Sequence, residues 1–458
     1  MDPFVQSFQR LTTRDPGAPA VLGVGASTRD ELWSAAHAAA DVLRRRGVEA
    51  GDVVALGAPS GARFLAGWLA LRLIDACALL VDCATPTEAR EQLQARVPAA
   101  FDWRVGAGPG WPPPRALDGR ARCPGHASIK LTSGSSGEPT GVLVSALQLE
   151  ADGRQLASTM GLTPSDRLLA AIPMSHSYGF SVLPTTLFRA GAALVVPGDE
   201  DAVECARRHA VTVLPSVPAW YRVQLRVRGA AFRWPESVRL FLTAGAPLSR
   251  ELAREWLSAT ERPIQGLYGS SECGGIAFDR TGAAGLAGRV GAPVDGVEVD
   301  LVGEAEQRFV RVRSAAVATG YVPAVATGRL GDGAFLTEDL GCFEDGELRL
   351  LGRASRWINV RGKKVDPAEV EATIARLAGV DEVVVLPKRL DDDNGDVVRA
   401  IVACSDASLA YRDVAAWCRR HLAAHKVPRS IVVVAALPRT ARGKLDRAAL
   451  DALGAATP

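Results

Sequence analysis

Lys130 to Ser145 reads KLTSGSSGEPTGVLVS. Apolar residues flank a run of small hydroxyl side chains and glycines. Glycine lets a backbone turn tightly and come close to an anion. Hydroxyls and bare N–H groups then donate hydrogen bonds to phosphate oxygens. No lysine follows the glycines at the GxxxxGK[ST] spacing, so this is not a P-loop, and the run lacks the GxSxG elbow of hydrolases. Taken alone, it fits a flexible Ser/Gly turn as well as it fits a phosphate cradle.

Upstream of this run, helical and strand patterns alternate. Glu31 to Arg46 carries apolar residues at helical spacing, with Gly47 as its stop. Val53 to Leu56 and Ala78 to Val81 are expected as strands, with a buried helix from Arg63 to Ile74 between them. Val105 to Pro124 is rich in Gly, Pro and Arg without a period and is expected as a surface loop. Downstream, the short runs Ala192 to Val196, Val211 to Leu214 and Val238 to Leu242 alternate with helices at Asp201 to His209 and Ser249 to Leu257. That alternation indicates parallel sheets covered on both faces. From Val297 to Leu351 the runs are all strand-like, as in a small antiparallel or barrel-like subdomain. Beyond Gly352 a compact α+β unit of about 100 residues follows, with Asp366-Pro367-Ala368-Glu369 as a helix start. The expected fold class is α/β. A large N-terminal domain of parallel-type sheets with flanking helices and a barrel-like β subdomain spans 1–352, and a small C-terminal α+β domain spans 353–458.

Bulk properties narrow the function classes. The chain has 458 residues, 48% of them apolar, enough for more than one domain and a substantial core. It holds no uninterrupted apolar run of about 18 residues, so no membrane span is expected. The start, MDPFVQSFQR, lacks the basic-then-apolar order of a secretory leader. A net charge of +2 gives no electrostatic reason to expect a nucleic-acid partner. The eight cysteines include no CxxC pair and no zinc-like spacing with His. They are expected as reduced, mostly buried residues of a cytoplasmic protein.

Three further segments carry chemistry. In GLYGSSECGG (Gly266 to Gly275), Tyr268 offers a flat face to a base, Ser271 a donor to a phosphate, and Glu272 an oxygen ligand for Mg2+. In FLTEDLG (Phe335 to Gly341), a strand end delivers Asp339 beside a turn, where an acid accepts hydrogen bonds from ribose hydroxyls. At the far end, GRASRWINVRGKKVDPAEVE (Gly352 to Glu371) and LPRTARGKLDR (Leu437 to Arg447) follow. There Lys444 follows a glycine in a basic turn, as a mobile cation closing over phosphates would. In isolation each is also what a capping loop, an exposed turn acid or a surface lysine looks like.

Together and in order, these segments resemble the signature motifs of the ANL superfamily of adenylate-forming enzymes. That superfamily comprises acyl- and aryl-CoA synthetases, nonribosomal peptide synthetase adenylation domains and beetle luciferases. The family's Ser/Thr/Gly loop resembles Leu131 to Gly141, and its YGxTE motif resembles Tyr268 to Glu272 with Ser271 for Thr. Its TGD motif resembles Thr337 to Asp339 with Glu338 for Gly, its GRxD hinge Gly352 to Ser355, and its PxTxxGKxxR Pro438 to Arg447. PMSHSYGF (Pro173 to Phe180), TAGAPLS (Thr243 to Ser249) and GRVGAPVDGVEV (Gly288 to Val299) match more weakly. The part before about residue 130 matches only in general pattern and is shorter than usual in the family.

The resemblance implies ATP-dependent activation of a carboxylic acid to an acyl-adenylate, then transfer to a thiol. Thr132, Ser133, Ser135, Ser136 and Gly137 would cradle the β- and γ-phosphates. The adenine would lie between Gly245-Ala246 and Tyr268-Gly269, with Ser271 at the α-phosphate and Glu272 on Mg2+. Asp339 would hold the ribose with Arg353 in support, and Lys444 would reach the α-phosphate and the substrate carboxylate. Mg2+ and Lys444 would offset the repulsion between that carboxylate and the triphosphate. The small domain would rotate between half-reactions, opening a CoA channel near Val360 to Lys364 with Gly362 leaving room for the pantetheine arm. Two departures stand out: Thr140 where the family often has Lys, and Ser355 at the hinge.

His176 sits where amino-acid-activating relatives place an Asp against the α-ammonium group. Imidazole, usually neutral, suits a cation poorly, so an aryl or fatty acid is expected instead. Tyr178, Gly179, Val217, Ala219 and Gly245 are candidate walls of the acid pocket. No carrier domain follows Lys444 in these residues, so free CoA is the expected acceptor, with a separate acyl carrier protein as the alternative. A third possibility, a catalytically weak nucleotide-binding relative, is suggested by Thr140 and Ser355 and opposed by Glu272, Asp339 and Lys444.

Overall fold

The computed structural model describes every residue except 1, 134–138, 230–231, 305–307, 325–327, 354–357, 361–362, 390–395, 405–408, 441–444 and 454–458. The chain divides into two units. The first is Met1–Thr337 with Gly341–Leu350, and the second is Glu338–Leu340 with Leu351–Pro458. Ser355, at the expected hinge, lies outside the described residues.

The first unit holds two large sheets. A seven-stranded sheet runs in the order Gly320–Val322, Pro139–Val144, Ser128–Ser133, Cys77–Leu80, Val53–Gly57, Phe101–Arg104, Arg115–Ala116. Its central strands are parallel and its edges antiparallel. A nine-stranded sheet has a parallel centre formed by Ile264–Ser270, Leu240–Thr243, Val213–Ser216, Arg167–Leu169, Ala193–Val196 and Pro19–Gly23. Gly274–Phe278 and Ala292–Pro293 extend one edge and Ser27–Thr28 the other, all antiparallel. One apolar core draws alternate residues from both sheets, including Leu56, Leu80 and Val142 from the first and Leu168, Leu242 and Ile276 from the second. The opposite face of each sheet buries its own cluster, around Leu79 and Ile129 in one and Phe241 and Trp256 in the other. Covered on both faces, the strands carry near-continuous apolar runs. A third sheet contains the antiparallel pair Glu298–Val302 and Phe309–Arg313.

Local chemistry explains the element ends. The helix Arg29–Arg45 starts in a capping box, with Thr28 Oγ1 accepting from the Glu31 N–H and Glu31 accepting from the Thr28 N–H. It stops before Gly47, whose φ of +76° suits glycine. The helix Ala62–Leu73 is apolar all round and buries every residue from Phe64 to Arg72. One feature departs from the sequence expectation and a second was not anticipated by it. The 105–124 loop contains an edge strand, Arg115–Ala116, paired with Phe101–Arg104. The chain's start forms a helix, Pro3–Arg14, capped by Asp2 and followed by the sheet strand Pro19–Gly23.

The second unit has a hairpin, Ile358–Val360 with Lys363–Val365, and a three-stranded sheet of Glu382–Arg389, Asp396–Ala403 and Ser430–Val434. Helices Pro367–Ile374 and Tyr411–His421 contribute Val370, Ile374, Val414 and Cys418 to its core. Asp366 caps the first of these helices by accepting from the Ala368 N–H at 2.9 Å, with Pro367 in its first turn. Among the described residues, no helix is long and apolar enough to cross a membrane.

Candidate active site

Ser128–Ser133 and Pro139–Val144 form an antiparallel hairpin in which Thr132 faces Thr140 and Ser133 faces Pro139. Residues 134–138 join the two strands, so Ser135, Ser136 and Gly137 lie outside the described residues, and of Ser133 only the backbone is described. Directly opposed residues share a face of the sheet. Thr132 and Thr140 therefore share a face with Lys130, which is opposed to Val142 one pleat further from the loop. Lys130 is only 2% exposed. Burial lowers its pKa from the ordinary lysine value, and Asp152, Cys273 and Glu272 oppose that shift.

Residues Ser271 to Cys273 join the antiparallel strands Ile264–Ser270 and Gly274–Phe278. Two glycines are required here. A Cβ on Gly269 would stand 2.5 Å from the Gly274 carbonyl oxygen, and one on Gly274, at φ +70°, 2.1 Å from Asp152 Oδ1. Asp152, on the helix Ala146–Thr159, accepts a hydrogen bond at Oδ1 from the Gly275 N–H at 3.0 Å. The Glu272 N–H donates to Ser270 Oγ at 3.2 Å, and the Tyr321 hydroxyl donates to Glu272 Oε1 at 3.3 Å. The Ala318 N–H donates to the Glu272 carbonyl at 2.7 Å. Backbone and side chain of Glu272 are thus both held. Cys273 is fully buried, and that burial pushes its thiol up to about 12, away from the thiolate form.

The strands Val213–Ser216, Leu240–Thr243 and Ile264–Ser270 are parallel neighbours and end at one edge of the nine-stranded sheet, where open α/β sheets bind ligands. Val217 and Gly245-Ala246 follow the first two strands, and Tyr268 through Glu272 form the end of the third and the turn after it. Gly245 has φ +82°, is exposed, and lies against Val217, whose Cγ1 would be 3.9 Å from a Cβ there. Ala219 and Ala246 are exposed and Tyr268 is half-buried. Tyr178 reaches the same edge: its hydroxyl makes long contacts to the carbonyls of Ser216 at 3.4 Å and Leu242 at 3.5 Å, and burial raises its pKa well above the ordinary value. A hydrogen bond of 2.6 Å joins Ser177 Oγ and Ser271 Oγ, tying the PMSHSYGF segment to the Ser271–Glu272 turn. His176 precedes the helix Ser177–Val182, and its Nε2 lies 3.3 Å from Asp82 Oδ2. Gly179 is packed out of solvent, its α-carbon facing the Pro173 carbonyl so closely that a Cβ would come within 2.2 Å.

In the second unit, Arg353 Nε donates to Asp339 Oδ1 at 2.8 Å, with Asp339 largely covered and Arg353 55% exposed. Lys444 and Gly362 lie outside the described residues, and Lys364 is described only as the backbone partner of Asn359.

Sequence reasoning gave no role to Lys130, Asp152, Asp82, Ser177 or Tyr321. Two of them carried a signal. Asp152 shares the buried helix face of Leu149 and Leu156, an acid placed at apolar spacing. Asp82 follows the end of a central parallel strand, a position where ligands gather.

Among the described residues, no three His, Cys, Asp or Glu side chains converge to hold a metal. A single fixed carboxylate fits Mg2+ better than a closed protein cage would, because that ion takes few protein ligands and keeps substrate oxygens and water.

Known proteins are similar to this chain in sequence and in fold. Residues 120–322 match the AMP-binding enzyme family and residues 369–444 the AMP-binding enzyme C-terminal domain. A 3-[(3aS,4S,7aS)-7a-methyl-1,5-dioxo-octahydro-1H-inden-4-yl]propanoyl:CoA ligase of Mycobacterium tuberculosis is 29% identical over 479 aligned positions, covering 93% of this chain and 94% of that protein. A 2-succinylbenzoate–CoA ligase of Bacillus licheniformis is 30% identical over 338 positions, 70% of this chain and 69% of its own length. In fold, the chain is similar to ATP-bound MatB from Rhodopseudomonas palustris, with a TM-score of 0.84 at 23% identity over 97% of this chain and 98% of that one. The chain belongs to the AMP-binding enzyme family, within the ANL superfamily of adenylate-forming enzymes.

Proposed function

We propose that this protein is an AMP-forming acid–thiol ligase, activating a carboxylic acid with ATP and transferring the acyl group to the thiol of CoA. One observation carries the proposal. At the carboxyl edge of the nine-stranded sheet, the Ser271–Glu272 turn is hydrogen-bonded through Ser177 to the segment bearing His176 and Tyr178. A nucleotide-side turn and an acid-side segment are thereby held as one structure.

The chemistry follows from the residues. A carboxylate is already ionised at neutral pH, so no general base is needed to start its attack on the α-phosphorus. The obstacle is repulsion between two anions, which fixed donors and cations reduce. Ser271 Oγ would donate to the α-phosphate, giving up or sharing its contact with Ser177. Glu272, kept in place by Tyr321, would hold Mg2+, whose charge offsets that of the triphosphate. Gly245, without a side chain, and Tyr268 would border the adenine. Asp339, oriented by Arg353, would accept from the ribose hydroxyls. Lys444 would neutralise charge at the α-phosphate, an assignment carried by resemblance alone. The acyl-adenylate then has AMP as its leaving group, and a thiol displaces it.

An aryl or fatty acid is the favoured substrate class. His176, an imidazole whose Nε2 lies 3.3 Å from Asp82 Oδ2, stands where an acid would be needed against an α-ammonium group. Tyr178 presents a half-buried aromatic ring that packs against the main apolar core. The two relatives named above are, by name, ligases of carbocyclic acids and CoA. The test is a panel of aryl and alkyl acids assayed for Mg2+-dependent pyrophosphate exchange into ATP, followed by mass analysis of the product formed with CoA. An acyl-CoA is the expected product. Acylation of a carrier protein with none of CoA would redirect the second half-reaction.

A further inference from the structure

We propose that Asp82 is a positioning residue for His176, and that the imidazole it orients selects carboxylic acids bearing a hydroxyl group. Asp82 stands just past the strand Cys77–Leu80, at the carboxyl edge of the parallel strands of the seven-stranded sheet. One end of its carboxylate is committed to the chain's own turn. Oδ1 accepts from the Ala84 N–H at 2.9 Å, and the Thr85 N–H donates to the Asp82 carbonyl at 3.0 Å. The other oxygen, Oδ2, lies 3.3 Å from Nε2 of His176. The backbone around His176 is tied down as well. The Met174 N–H donates to Ser60 Oγ at 3.0 Å, the His176 N–H donates to the Pro173 carbonyl at 3.1 Å, and Ser177 Oγ is bonded to Ser271 Oγ.

This contact decides where the proton sits on the ring. His176 Nε2 is buried and makes no aligned hydrogen bond among the described residues, so Asp82 acts on it by charge. A bare Nε2 would set its lone pair against a carboxylate oxygen. A protonated Nε2 turns the same contact into attraction, so the proton belongs on Nε2. Nδ1 of the neutral imidazole is then an acceptor, the usual result of an acid beside one ring nitrogen. The side chain as a whole is 31% exposed although Nε2 is buried, so the ring opens along the edge away from Asp82. A lone pair there repels a carboxylate and attracts the hydrogen of a hydroxyl. It would read a ring or chain hydroxyl of the acid rather than its carboxylate. That selection rests on the acid pocket and the activation proposed above; the orientation of His176 by Asp82 does not.

The test uses the full-length protein with 15N-labelled histidine, as wild type, Asp82→Asn and His176→Gln. Two-bond 15N–1H correlation spectra read the tautomer, and the signals missing from H176Q are those of His176. Wild type is expected to carry the proton on Nε2. D82N keeps an acceptor for the Ala84 N–H but sets an amide against Nε2, and is expected to lose that single form. Pyrophosphate exchange is then followed with pairs of acids that differ only by a hydroxyl. Wild type is expected to favour the hydroxy acid about tenfold in kcat/KM, as one hydrogen bond supplies, through the KM for the acid and with the KM for ATP unchanged. D82N and H176Q are both expected to bring that ratio to within about threefold of unity. A wild-type proton on Nδ1, or an unchanged tautomer in D82N, would overturn the positioning role. Equal use of both acids by wild type would overturn the hydroxyl selection. A lowered thermal midpoint in D82N, with the tautomer and acid ratio of wild type, would mark a merely structural contact and overturn both. Should D82N not fold, Asp82→Ser keeps a short acceptor for the turn and removes the group facing Nε2, and the same outcomes apply. If wild type shows no exchange with any acid, the enzymatic assignment fails, and the spectra still decide the orientation of His176.

Discussion

The charged residues that the motifs and their neighbours supply stand in two very different surroundings. In the first unit, Lys130 and Asp152 are sealed in the interior, and Glu272 is fixed through its N–H, its carbonyl and its carboxylate. In the second unit, Asp339 pairs with an Arg353 that is more than half exposed. Water screens such a pair, and its net contribution to stability is small. A charge inside the fold has no such screening, and losing a partner there costs more. The same residue chemistry therefore serves two ends. Buried charges set the shape of a turn before any ligand arrives, whereas exposed ones are available to meet a ligand at little cost to the fold.

Substitutions can break or sharpen that contrast. The largest effect is expected from Lys444→Ala, which removes the proposed cation at the reacting phosphorus. Pyrophosphate exchange should fall by about a hundredfold or more, while thioester formation from a supplied acyl-adenylate stays within about threefold. Equal loss in both steps would contradict that role. Asp152→Ala comes next and acts on the fold. It frees the buried Gly275 N–H, so denaturant unfolding should show a loss of about 2 kcal/mol. Glu272→Gln keeps the shape of the side chain but not its charge, and should raise the half-saturating Mg2+ concentration about tenfold. An unchanged metal dependence would remove Glu272 from the metal site. Asp339→Asn should raise the KM for ATP several-fold, by about 1 kcal/mol of lost hydrogen bonding, with little change in unfolding. Arg353→Ala is expected to be the mildest, within about 1 kcal/mol of wild type in stability. A loss as large as that of Asp152→Ala would erase the contrast between the two units.

The parts legible from sequence were those with local causes. Asp366-Pro367 starts a helix because its side chain and ring act within one turn. Gly47 follows a helix end because its own φ is positive. The glycine-hydroxyl run falls at the joint of a hairpin, and GLYGSSECGG at a turn between strands, because residues that break periodicity show directly in the sequence. What stayed hidden depends on distant pairing. Gly320–Val322 pairs with Pro139–Val144, and that brings Tyr321 to Glu272, 49 residues away in sequence. Pro19–Gly23 joins the parallel centre of its sheet by pairing with the distant Ala193–Val196. Lys130 was concealed by its own pattern. Ser128, Lys130 and Thr132 alternate with Ile129 and Leu131, as on a strand with one wet face. In the fold, the side bearing Ser128 and Lys130 is buried: Trp68 Nε1 donates to Ser128 Oγ at 2.9 Å, and Lys130 is only 2% exposed.

The most direct test of the account is isotope exchange between pyrophosphate and ATP, with wild-type protein, Mg2+ and a panel of aryl and alkyl carboxylic acids. The account predicts exchange that appears only with an acid present, is abolished by chelating the metal, and is strongest for one acid class. Absence of acid-dependent exchange across the whole panel, in protein shown to be folded, would contradict it.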